Sequence, residues 1–558
     1  MSFGIRELYF LIIVASAALF YGVSVNFDLI LYDDTAYIDF LNEIHNLSFS
    51  AFVRKVSLSI VNANWHPLTV LSLYSDYLIY GKFSGGYHLT NVILHIFSTW
   101  ILFNIFTRLK VPLMINALTV ALFALHPVNV ESILWVSERK GALAAFFSLL
   151  TIYFYIAYRQ EHKSYQLRLS VFMFLLGLLS KATIVMLPIF FIILDMFDFF
   201  ETRRFNVTKQ RIWNSFNTHF PFLMASLSIG LITIFAHGGS DALPGLEELD
   251  IERRIHNFPV AFMNYFQHLF YDFNYSIYYP YKEKFTTTEL IISYIFLLGY
   301  LASIIYFAKR NSMVSLCLLW FIVMLLPVSG LVQTGAHAYA LRYMYLPAIG
   351  IFFLVASLIE LLTKRIKKYH IVKLILVIVL LIGPLTKNIL AWKDSVTLFE
   401  KSIHVVGDSV VAHAVLALHY SIRNNPQKTM HHYTMMSKAY VLRQGTIKHA
   451  TYSSARTFMG YSDHVTAQWI LNRGITKYPE LANYYVLLAA SHSLNNEYKE
   501  AEKIIKRGLE KHPKSQPLTF LLGYVNEKSG QQDLAIKLYK KAAGSQIHIL
   551  TGYDFTDK

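Results

Sequence analysis

The sequence is short of charge. Only 15% of its 558 residues are Asp, Glu, Lys or Arg, against 55% hydrophobic residues and a mean hydropathy of +0.40. A soluble globular chain carries about 25% charged residues, so a wholly soluble protein is excluded. It is also short of cysteine. Cys317 stands alone inside an apolar run, which rules out a disulfide within the chain and leaves redox compartment unread. Acidic residues are the scarcer sign, 35 against 50 basic, giving a net charge of +15. In a chain this apolar, that excess reads as the Lys and Arg of cytoplasmic loops, and no nucleic-acid partner is expected. The length leaves room for about three or four soluble domains. The apolar residues, however, gather in runs up to Trp392, and the remainder is polar.

About 20 apolar residues carry a helix across the hydrocarbon core. The runs predict eleven spans: Leu8–Val25, Tyr87–Thr107, Pro112–Leu125, Ala142–Tyr158, Leu169–Leu179, Ile184–Phe200, Phe220–Ala236, Leu290–Phe307, Met313–Val332, Tyr343–Leu362 and Ile371–Ile389. The first follows Arg6 without a small-residue cleavage site and reads as a retained anchor. Phe258–Tyr279 holds Asn264, Gln267, His268, Asp272 and Asn274 among its aromatics, and reads as an interfacial or re-entrant helix. Charge supports this count. With an N-terminus inside and eleven crossings, the clusters Arg108/Lys110, Arg159/Lys163/Arg168, Arg203/Arg204/Lys209/Arg211, Lys309/Arg310 and Lys364/Arg365/Lys367/Lys368 all fall on the cytoplasmic side. The polar tail then lies outside the cytoplasm, of a bacterial inner membrane or an endoplasmic reticulum.

The period changes in that tail. Ala467, Ala501 and Ala535 are 34 residues apart, as are Gly474, Gly508 and Ala542, and Pro479 and Pro513 close two units. Small residues at a 34-residue period with a closing proline are the tetratricopeptide pattern. The expected fold is therefore all-α: a membrane domain over 1–391, degenerate helical repeats over 392–447 and tetratricopeptide repeats over 448–558. Such a superhelix presents a concave surface suited to a protein partner.

The groups that carry chemistry lie on the expected outer side. Asp33 and Asp34 follow the first span, where adjacent acids suit a general base with a neighbour to orient it. Trp65 and His66, then His88, His126 and Glu131, come next. Trp65 suits an interfacial belt as well as a site. Arg139, Lys140, Lys181 and Arg342 follow at span ends. A cation at a span end can simply snorkel. Outside the cytoplasm, though, these four break the positive-inside bias, and with Asp33 they suggest an anionic ligand such as a lipid phosphate. His126, Glu131 and the aspartates are metal-ligand types, so a divalent metal is conceivable, but their spacing follows no zinc pattern.

Taken in order, Tyr32-Asp33-Asp34, Trp65-His66-Pro67-Leu68-Thr69, Gly86-Tyr87-His88, Leu125-His126-Pro127-Val128 with Glu131, the Arg139 segment, Leu179-Ser180-Lys181 and Arg342-Tyr343-Met344-Tyr345-Leu346-Pro347 resemble the transmembrane and tetratricopeptide-repeat O-mannosyltransferases, of the GT-C glycosyltransferase class. The chain departs from that family at Glu138-Arg139-Lys140-Gly141, where Gly-Arg-Ala and an acid are usual, and at Ala182, often Glu.

The resemblance implies a GT-C-like membrane domain. It implies transfer of a mannose-like sugar from a polyprenyl-phosphate carrier to a protein Ser or Thr hydroxyl outside the cytosol, with inversion. Asp33 is then the expected base with Asp34 in support. Arg342, Arg139, Lys181 and Lys140 are expected on the donor phosphate. His66, His88, His126, Glu131 and Trp65 are expected to position substrates, with the repeats holding the acceptor protein. The alternatives are a non-catalytic scaffold that recruits envelope proteins through its repeats, and a lipid-linked glycan ligase or transporter.

Overall fold

The computed structural model describes residues 4–542 except 62–63, 203–204, 206, 239–250, 283, 332–336, 364–369, 424, 426, 430, 433, 437–451, 453–454, 457 and 460–462. The loop cations Arg203, Arg204, Lys364, Arg365, Lys367 and Lys368 lie outside the described residues. The chain divides into two compact units, Met1–Gly407 and Asp408–Lys558. The expected all-α architecture is observed. Among the described residues the only strands are β1 (Tyr279–Pro280) and β2 (His337–Tyr339), a short antiparallel pair.

In the first unit, α1 is Ile5–Tyr21, α2 Asp34–His45, α3 Phe49–Leu58, α4 Pro67–Tyr80, α5 Ser84–Arg108, α6 Leu113–Leu125, α7 Val130–Leu134, α8 Arg139–Glu161, α9 Ser164–Ser180 and α10 Leu187–Met196. Then come α11 Lys209–Gly238, α12 Ile251–Phe270, α13 Thr287–Arg310, α14 Ser312–Leu325, α15 Ala348–Leu362, α16 His370–Ala391 and α17 Ser395–Val406. Among the described residues, five helical segments are long and apolar enough to cross a membrane: Ile5–Asn26, Ser84–Arg108, Val136–Glu161, Thr287–Arg310 and His370–Ala391. Leu113–Leu125 with Pro127–Leu134 makes a sixth if that pair, bent by 47°, is one span.

Several of the other expected spans hold short apolar helices, such as α9, α14 and α15. At 1.5 Å per residue, the 14 residues of α14 reach only about 21 Å of a core about 30 Å thick. The helices stop at His126-Pro127, Ser180-Lys181, Leu326-Pro327 and around Arg342, so irregular backbone gathers where the polar residues stand. Such backbone is tolerated at membrane depth only where it lines a protein cavity. Where these helices meet, packing is tight: a Cβ on Gly350 of α15 would come within 2.5 Å of the Cys317 carbonyl oxygen on α14. The ambiguous stretch Phe258–Tyr279 is helical only to Phe270, with Tyr265 and His268 on its buried face.

The second unit begins with α18 (Val410–Ile422). Its later described helices are α19 (His464–Lys477), α20 (Ala482–Leu494), α21 (Tyr498–Lys511), α22 (Gln516–Lys528) and α23 (Gln532–Lys541). Their starts at His464, Tyr498 and Gln532 keep the 34-residue spacing of the sequence. The alanines that set the period are buried, Ala467 and Ala501 fully and Ala535 at 1% exposure. Asp463 caps α19, accepting from the Thr466 amide at 3.1 Å, as a helix start requires.

Candidate active site

Asp34 joins the first outer segment to the turn before α8. Its carboxylate accepts from the Ile30 amide at 2.9 Å, from the Ser137 amide at 2.8 Å and from the Ser137 hydroxyl. Burial pushes its pKa up to about 6 in spite of those donors. Tyr32 stacks on Trp135 with ring centres 5.9 Å apart, a second join between the same two segments. Asp33 is thereby held beside the Ser137–Lys140 run. It is half-buried at the N-cap of α2, and burial raises its carboxyl above the ordinary range while Lys140 and Arg342 pull it back down.

The cations converge on Glu138 and Trp135. Lys181 bonds one Glu138 oxygen, and Lys140 Nζ and Arg342 Nε each stand 3.9 Å from the other. Lys140 and Arg342 both lie over the Trp135 ring, at 5.6 and 5.2 Å from its centre. Arg342 is held by Glu131, which accepts from its NH1 at 2.6 Å and from its amide at 3.3 Å. A cleft of about 430 Å³ opens here, lined by Glu138, Lys181, Thr183, Met324, Arg342 and Tyr343.

Arg139 points elsewhere. Its guanidinium donates to Asn91, to Ser72 at 3.0 Å, to Asp76 at 2.6 Å and to the Tyr87 carbonyl at 2.9 Å, with the side chain wholly buried. That commits four of the five N–H donors of an arginine to α4 and α5. His88 is also enclosed, its Nε2 3.4 Å from the Asp28 carbonyl oxygen. Both ring nitrogens of His126 serve the backbone, Nδ1 accepting from Val128 at 3.2 Å and Nε2 bonding the Leu269 carbonyl at 3.0 Å. Trp65 donates to the Ser57 carbonyl at 2.8 Å.

His66 is nearer the cluster. It bonds Tyr37 at 2.9 Å, and burial together with Lys140 and Lys181 holds it neutral. Among the described residues, no group of three His, Cys, Asp or Glu side chains is placed to hold a metal ion.

Glu138 and Trp135 stand at the centre of this cluster, though neither is among the residues expected to carry chemistry. The signal for Glu138 was its place between Ser137 and the two cations. Trp135 is one apolar residue among many in the sequence, and only the two cations over its ring reveal it.

No family model matches the chain. Among curated proteins, Protein O-mannosyl-transferase Tmtc1 of Drosophila melanogaster is 34% identical over 128 residues, 22% of this chain and 14% of that protein. Protein O-mannosyl-transferase F38B6.6 of Caenorhabditis elegans is 22% identical over 388 residues, 64% of this chain and 51% of that protein. The chain is thus similar, at low identity, to proteins named as protein O-mannosyl-transferases. Protein O-mannosyl-transferase TMTC4 of Homo sapiens adds 28% identity over 148 residues, 20% of its length. The chain spans about half or less of the length of these curated relatives.

Proposed function

We propose that this chain is a membrane glycosyltransferase that moves a mannose-like sugar from a polyprenyl-phosphate carrier to a protein Ser or Thr hydroxyl, on the extracytoplasmic side. The observation that carries the reading is the meeting of Asp33 with Lys140 and Arg342 across the Asp34–Ser137 tether. A hydroxyl is a poor nucleophile, and a carboxylate that takes its proton is worth about 10²–10⁴ in rate. In this reading the acceptor oxygen bonds the sugar carbon, and the bond from that carbon to the phosphate oxygen breaks. The electron pair leaves on the lipid phosphate and the proton goes to Asp33, with inversion at carbon.

Charge that develops on the phosphate is met by Lys140, Lys181 and Arg342. Glu131 positions Arg342, Asp34 positions Asp33, and Arg139 braces the fold beneath them. An apolar cavity of about 800 Å³, lined by Phe190, Trp320, Gly350 and Phe353, suits an isoprenoid tail. Trp320 and Met324 sit on one helix and line the cavity and the cleft respectively. The second unit, read as tetratricopeptide repeats, presents the acceptor protein.

The test is reconstitution in lipid vesicles with polyprenyl-phosphate mannose and Ser/Thr peptides. Transfer is expected, and Asp33→Asn should slow it by about 10²–10⁴. Equal transfer by both forms overturns Asp33 as the base. No transfer by the wild type with any polyprenyl-phosphate sugar sinks the enzyme and favours a scaffold.

A further inference from the structure

The carboxylate of Glu138 stands where the cations of the cleft converge. Its side chain is only 1% exposed, and its Oε2 has no hydrogen-bond partner among the described residues. Lys181 holds the other oxygen, and Lys140 and Arg342 stop at 3.9 Å from Oε2, beyond bonding reach but well within Coulombic reach. A buried charge is stable only when it is paired and hydrogen-bonded. Here half of the carboxylate is anchored and the other half faces cations without bonding them. That arrangement suits a group that must let go.

We propose that Glu138 is an internal placeholder for the donor phosphate: its carboxylate occupies the anion subsite of the cleft, holds Lys140, Lys181 and Arg342 together, and is displaced when the phosphate binds. This inference rests on the reading of the cleft as the phosphate site. Without a counter-ion the three cations would repel one another. A fixed anion keeps them gathered between turnovers, and its competition with the leaving lipid phosphate hastens product release. Gly141 makes the seat possible. A Cβ there would collide with Glu138 Oε1, so a side chain at this position would shift the carboxylate from its place over the start of α8.

Two variants of the full-length protein in detergent test this with inorganic phosphate as the probe, read by calorimetry. Glu138→Gln removes the competing charge and keeps the shape. It should bind phosphate on the order of tenfold more tightly than wild type. Gly141→Ala keeps the charge but pushes the carboxylate off Lys181. It should also tighten binding, and alanine favours the helix, so the variant should fold. Under turnover, Glu138→Gln should lower kcat and KM together, as slow product release requires.

Unchanged or weaker phosphate binding in both variants overturns the placeholder and leaves Glu138 a mere organiser of the cations. The outcome is separable from that of the proposed activity. If the wild type transfers no sugar while both variants bind phosphate more tightly, the enzyme falls and the placeholder stands.

Discussion

Arg139 and Lys140 are neighbours in sequence and belong to two different regions. Around Arg139 the structure is sealed: Asp76, Asn91, Ser72 and the Tyr87 carbonyl take its donors, and no face of the guanidinium meets solvent. Around Lys140 the side chain is buried as well, but its ammonium is not fastened. Among the described residues its closest ion pair is with Glu138 at 3.9 Å, and it rests on the rings of Tyr37 and Trp135. The same charge is engaged by hydrogen bonds in the first region and is left without a close one in the second. The difference lies in how many donors are already committed, and burial alone does not reveal it.

The sharpest way to break the comparison is Arg139→Met. It leaves the Asp76 carboxylate, 6% exposed, without its cation. Breaking a buried pair from one side costs about 3–5 kcal/mol. We expect loss of the folded protein, read as a fall in yield of monodisperse protein and in apparent Tm. Arg139→Lys should rescue only in part, because an ammonium cannot reproduce the planar fork that bonds Asn91 and Asp76 together. Full stability in Arg139→Met would mean that the sealed region is not what holds α4, α5 and α8.

A second test addresses the seam between the regions. Asp34 is ionised at neutral pH at a cost, because burial has raised it from 3.8 to about 6. The folded state therefore binds its proton more tightly than the unfolded chain does. On that account stability rises as pH falls from about 6 toward 4, and is flat above and below the window. The full swing is at most about 3 kcal/mol. Asp34→Asn abolishes this slope. The apparent Tm of the wild type should gain on that of the variant as pH is lowered through the window. A constant difference would show that Asp34 does not titrate there.

These residues also show how far the sequence could be read. The helical architecture and the long crossings were legible, because apolar runs of about 20 residues leave few other options. The 34-residue spacing was legible in Ala467, Ala501 and Ala535. The short helices were less so: Leu169–Leu179 lies inside the 17-residue α9, but the crossing expected through Met313–Val332 breaks after Leu325, before Pro327.

Within the site, the two segments around Asp33 and Lys140 were each visible, but their meeting was not. It depends on Asp34 reaching Ser137, 103 positions away. Direction was hidden as well. Arg139 and Lys140 look alike in a sequence, and consecutive helix residues point about 100° apart, so one faces Asp76 and the other Glu138 and the Trp135 ring. His126 and His88 look alike in the sequence too, and only the fold shows one ring nitrogen of each against a backbone carbonyl, that of Leu269 for His126 and of Asp28 for His88.

Lys140→Gln sharpens the comparison with the smallest change. Glu138 keeps Lys181 as its bonded partner, so no carboxylate is orphaned and the apparent Tm should fall far less than in Arg139→Met. Phosphate binding should weaken by about tenfold, the value of one charge-assisted contact. A further readout separates this from general damage. Lys140 is the largest electrostatic influence that lowers the Asp33 carboxyl. A general base works only when ionised, so transfer declines as pH falls through its pKa. Without Lys140 that carboxyl rises further, and the acid limb of the pH–rate profile must move to higher pH. An unmoved limb would place Lys140 outside the field of the base. Two neutral substitutions at positions 138 and 140 should therefore shift phosphate affinity in opposite directions. The arginine between them should govern only whether the protein folds.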